Sequence, residues 1–296
     1  MKRLCFYLVT VTIFCLLVSP AFGATIYNNL TPTNAMGIAT RPDVPGGPFE
    51  IEGADDFFLT AQTLINSASF VGVIVPGPSG GSSTITDVVA EMYRIFPADS
   101  NTTRTPNVLT RANSPSDVDF ASKSSDAGQL TFTFSVLNPT FTMLNTVQPG
   151  GIHPFPNQTT GGNGALTGAE VQINATFLSP FNLVDGHLFF VPQVELSNGA
   201  TFYWLSASRG PISGPGTTPF PATITDLQAW TRDAALDPDW SRVGTDIVGG
   251  TTPPTFNTAF SFDGTVIPEP PAGSLVLIAL ALIGAGSITA KRKAPR

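Results

Sequence analysis

Charge is scarce in this chain: Asp, Glu, Lys and Arg together make up 12% of its 296 residues. Cysteine is scarcer, with only Cys5 and Cys15, both within the first 23 residues. Behind Gly23 there is therefore no disulfide framework, no thiol nucleophile and no thiolate metal ligand. The body must be stabilised by its own core, which its length allows. Only two histidines occur, His153 and His187, far apart and in no H-x-H or H-E-x-x-H pattern, which argues against a zinc site. Basic residues are few where they would matter most. Between Ala24 and Pro271 eight arginines and lysines face 21 acids, a net of −13, so binding of nucleic acid or of another anionic polymer by bulk charge is disfavoured. Neutral glycans, cations and proteins stay open as partners. Long amphipathic helices are excluded as well, since they need more charge than this and fewer breakers than 28 glycines and 27 prolines.

What is present is strand-like. Gln129–Leu137 places Leu130, Phe132, Phe134 and Val136 on one side of an extended chain and Thr131, Thr133 and Ser135 on the other. Glu170–Leu178 repeats the alternation with Val171, Ile173, Ala175 and Phe177, and Phe260 with Phe262 extends it. Further strands are expected at 56–59, 68–75, 87–96, 187–196, 201–207, 227–232 and 255–266, separated by Gly- and Pro-rich turns. Absent any internal repeat or composition break, residues 24–265 read as one all-β domain, a two-sheet sandwich of jelly-roll type.

Several constellations suggest chemistry. Gly77-Pro78-Ser79-Gly80-Gly81 fits G-x-S-x-G, but that nucleophile elbow needs a helix after the serine and an α/β sheet; a glycine-rich hairpin loop is the expectation. Asp233, Asp237 and Asp239, the last two flanking Pro238, form the best calcium candidate, without the EF-hand spacing; otherwise no cofactor is expected. Trp204, Trp230 and Trp240 are the available carbohydrate platforms, although alternating aromatics in strands more often fill a core. No spacing singles out a catalytic carboxylate pair, so an enzyme is not expected; a lectin-like module is the alternative, and a glycoside-active enzyme the weaker one.

The two ends are the most informative. Lys2 and Arg3 precede an uncharged stretch, Leu4 to Val18, then Ser19-Pro20 and the small residues Ala21 and Gly23. This reads as a secretory signal, residues 1–23, cut between Gly23 and Ala24 by signal peptidase. At the other end Pro268-Glu269-Pro270 precedes Ala272 to Ala290, which carries no charge. Its nineteen residues span roughly 28 Å as a helix, close to the hydrocarbon thickness of a bilayer. Lys291, Arg292 and Lys293 follow as a basic stop, which places the body outside the cytoplasmic membrane.

That order resembles the PEP-CTERM sorting signal of Gram-negative bacteria, over residues 266–296. The resemblance implies export, transient anchoring by the apolar helix, and processing near Glu269 by an exosortase, a membrane-embedded transpeptidase. It also implies delivery to the cell surface or an extracellular polysaccharide matrix. Gly53-Ala54-Asp55-Asp56-Phe57-Phe58-Leu59 likewise resembles an early Asp-Asp-Phe stretch of several such proteins. Asp55 and Asp56 are expected in a turn, with Phe57 and Leu59 on one strand face and Phe58 on the other.

Overall fold

The structure is a computed structural model that describes residues 23–78, 80–103, 113–148, 159–208, 227–233 and 240–268. The chain divides into two compact units, residues through Val266 and residues from Ile267 onward. The first is nearly all β. Its strands are β1 (Ala24–Asn28), β2 (Pro32–Ala39), β3 (Ile51–Leu59), β4 (Thr63–Val75), β5 (Ile85–Arg94), β6 (Ala121–Ser124), β7 (Leu130–Met143) and β8 (Thr146–Val147). There follow β9 (Leu166–Leu183), β10 (Gly186–Leu196), β11 (Thr201–Ala207), β12 (Trp230–Asp233), β13 (Ser241–Arg242), β14 (Asn257–Thr258) and β15 (Phe260–Val266). Among the described residues no helix is long and apolar enough to cross a membrane; the span from Ala272 to Ala290 lies outside them.

Two open sheets result. The larger runs β1-β15-β4-β11-β2-β8, with β14 on β11, β9 along the other edge of β4 and β7 outside β9. The smaller runs β13-β12-β3-β10-β5-β6. β4 is long enough to be shared: Thr63–Phe70 pairs with β15 and Gly72–Val75 with β11, while β9 follows its opposite edge.

The sheets face each other across a phenylalanine-rich core. Phe57 and Leu59 of β3, Met92 of β5 and Phe190 of β10 meet Phe70 of β4, Ile173 of β9, Trp204 of β11 and the β15 pair Phe260 and Phe262. Their rings interlock at 4.9–5.9 Å, mostly edge to face, the geometry the ring quadrupole favours. Period-two patterning holds in β9, where Val171, Ile173, Ala175 and Phe177 are all buried.

It fails in β7. Leu130 is buried, but Phe134 and Val136 are about half exposed. β7 is the outer neighbour of β9, and these two residues are absent from the core that Leu130 and the half-buried Phe132 join. The Asp-Asp turn is also corrected: Asp55 and Asp56 lie inside β3, whose nine residues are all buried.

Candidate functional site

Every second residue of β3 points away from the main core, and on that outer face the chain has placed charge. Glu52 on β3, Glu50 just before it and Glu91 on β5 each bring a carboxylate oxygen within 4.8 Å of the others. Glu52 is 1% exposed. Burial at that level requires a partner, and Arg232 on β12, opposite Glu52 in the ladder, supplies it through Nε. The same guanidinium donates to Asp117 O (2.9 Å) and lies 4.5 Å from the centre of the Trp240 ring. Tyr93 on β5 donates its hydroxyl to Glu52 and reaches Glu91 Oε2 at 3.3 Å; the Gln193 amide donates to Glu50 Oε1 at 2.7 Å.

The electrostatics follow from this crowding. Burial first, then the charges of Glu52, Glu50 and Asp119, holds the Glu91 carboxyl well above the usual range. Glu50 and Asp119 are raised too, by burial and then by Glu52. Three oxygens this close suit a hard cation, and two carboxylates this close suit acid–base work. Here, however, a cation of the protein already sits on Glu52, and the Trp240 ring covers that cation. Trp240 in turn donates its indole N–H to Ser116 O at 2.8 Å. The cluster thus fastens the segment around Ser116 and Asp117 onto the outer face of the smaller sheet.

No family model, curated protein or solved structure matches this chain. Its site residues are therefore read from their own geometry.

The three tryptophans do not form a carbohydrate platform. Trp204, Trp230 and Trp240 are each 0% exposed. Trp204 fills the main core and donates to Ala259 O at 3.0 Å, while Trp230 and Trp240 pack with Tyr93, Phe189 and Val191 behind the smaller sheet. Both faces of β11 are covered, Phe202 and Trp204 on one side and Tyr203 and Leu205 on the other, so core packing wins twice. Of the calcium candidate, Asp233 ends β12 and is 8% exposed; Asp237 and Asp239 lie outside the described residues. So do Ser79, His153, Glu269, Pro270, Lys291, Arg292 and Lys293, whereas Gly23, Ala24 and Pro268 are described. β5 follows the Gly77–Gly81 loop, so a strand stands where the elbow needs a helix.

The sequence reading missed two polar groups in addition to the glutamates. His187 Nε2 meets Asp56 Oδ2 at 3.0 Å, and its ring stacks on Phe58 at 4.3 Å, because the register sets His187 opposite Phe58. Asp55 points the other way and accepts from the Thr258 backbone N–H (2.7 Å) and hydroxyl (3.0 Å) on β14. Complete burial and then the neighbouring Asp56 charge push its carboxyl well above the usual range. The available signal was spacing: Glu50 and Glu52 stand two apart at the start of β3, as Asp56 and Phe58 do within it.

Proposed function

We propose that this chain is an exported surface or matrix protein of a Gram-negative bacterium, processed through its C-terminal signal and without enzymatic activity of its own. The observation that carries the reading is the order Pro268-Glu269-Pro270, uncharged 272–290, basic Lys291-Arg292-Lys293, together with the secretory pattern of residues 1–23. The span from Ala272 to Ala290 is the temporary membrane helix, and an exosortase-type enzyme cuts near Glu269. Pro268 and Pro270 favour extended backbone there, which keeps the motif accessible to such an enzyme.

We read the body as a jelly roll. The pairs β2·β11, β3·β10, β4·β9 and β5·β6 are nested, as in one long hairpin ribbon folded over on itself. The orders β2-β11-β4-β9 and β3-β10-β5-β6 support that reading, with the remaining strands as additions at the edges. Within the grouped carboxylates, Arg232 and Tyr93 already engage Glu52.

Glu269→Ala is the direct test. The variant is expected to stay at full mass in the membrane fraction while the wild type loses its C-terminal segment; normal maturation of the variant would leave the apolar span as a plain anchor.

A further inference from the structure

At one end of the two-sheet body lies a cavity of about 640 Å³, between the chain just after β2, the ends of β4 and β10, and the start of β11. Its size is within the range of small-molecule sites. Arg41 lines it and is held in place: its backbone exchanges both hydrogen bonds with Ile51, at 2.9 and 3.1 Å. Its Nε donates to Phe49 O at 2.7 Å, and its guanidinium lies 4.8 Å from the Phe49 ring centre. Its two terminal nitrogens make no hydrogen bond among the described residues. In a body with 20 acids between Ala24 and Val266, Arg41 also forms no ion pair with any described carboxylate. Burial lowers its pKa, and Tyr203 and then Asp233 act against that lowering.

A second donor stands in the same wall. The Tyr203 hydroxyl donates to Gln148 Oε1 at 2.8 Å, which fixes the amide orientation and leaves the Gln148 NH₂ group without a partner among the described residues. Glu195 lines the cavity too, and its carboxylate has neither a hydrogen bond nor an ion pair there. A forked cation and an amide donor match a carboxylate, while an unengaged carboxylate matches hydroxyl groups. Pro42, Pro48, Pro76 and Pro78 stiffen the lining, so little order is lost when a ligand enters.

We propose that this cavity binds a small hydroxylated carboxylate of the hexuronate type, with its carboxylate on Arg41 and Gln148 and its hydroxyls on Glu195. Neither the sorting signal nor the processing test bears on this site. The test is a ligand-observed NMR titration of the full chain in detergent with sodium glucuronate, glucose and sodium acetate. Glucuronate is expected to bind saturably and at least about tenfold more tightly than either control, since a charge-assisted hydrogen bond is worth about that factor or more. Arg41→Gln and, separately, Gln148→Leu should each weaken glucuronate about tenfold or more, with Arg41→Lys between wild type and Arg41→Gln. Gln148→Leu keeps the Arg41 contacts to Ile51 and Phe49, so it remains informative should Arg41→Gln unfold. No saturable glucuronate binding, acetate binding as tightly as glucuronate, or unchanged binding in the folded variants would overturn the proposal.

Discussion

Arg232 shows how one side chain can hold a buried face together. It neutralises Glu52, caps Asp117 O and lies under Trp240, all at 5% exposure. Removing only the cation leaves the Glu52 carboxyl buried without its ion-pair partner. Arg232→Ala should therefore cost about 3–5 kcal/mol, read as a fall in the urea midpoint. A loss under about 1 kcal/mol, typical of an exposed pair, would contradict the burial argument. Glu91 carries the opposite lesson. Its carboxyl in the fold titrates above the unfolded value of about 4.3, so the folded chain keeps that proton longer. The contribution of Glu91 to stability is complete below that pH and declines as pH rises through the folded pKa. Glu91→Gln removes the decline and can keep the acceptor for Tyr93. The variant should gain on the wild type between pH 4 and pH 8 in urea unfolding; an unchanged difference at the two pH values would refute the assignment.

At the scale of elements, β4 and β11 approach so closely that Gly72 has no room for a side chain. A Cβ there would meet the Phe202 ring at 2.2 Å and Tyr203 O at 2.5 Å. One of these atoms is backbone in the facing strand, so relief means moving the ladder. Gly72→Ala should destabilise by about 1–3 kcal/mol, against the usual gain from replacing glycine in a strand; a more stable variant would show that the two strands are looser than described. Alternation made β9 and the Phe260–Phe262 strand legible, because their apolar residues recur at every second position, while the unbroken run Phe202–Leu205 made β11 so. β1 and β2 were not legible: Ala24–Asn28 is short, and Pro32–Ala39 mixes Pro, Asn and Gly with its apolar residues. Their place is set by long-range pairing, β1 with β15 and β2 with β11, and no local pattern encodes it. The same limit hid the polar cluster: Glu52 and Arg232 are 180 residues apart and meet only through the β3–β12 register. Phe134 and Val136 mark the reverse error, since alternation identifies a shared face without saying whether another layer covers it.

For the whole molecule, the two-sheet body depends on its core alone, because no cysteine follows Gly23. Thermal unfolding of the chain from Ala24 onward should be the same with and without a thiol reductant, since both cysteines, Cys5 and Cys15, precede it; a shift would contradict a body held by its core alone. The net of −13 between Ala24 and Pro271 disfavours nucleic acid as a partner through bulk charge. The central claim concerns where this body is sent and how it is released. Intact-mass and C-terminal peptide analysis of the protein recovered from the producing cells tests it most directly. The account predicts an N-terminus at Ala24 and a C-terminus near Glu269, with the residues from Ala272 onward lost. A mature chain that still ends at Arg296 would contradict it.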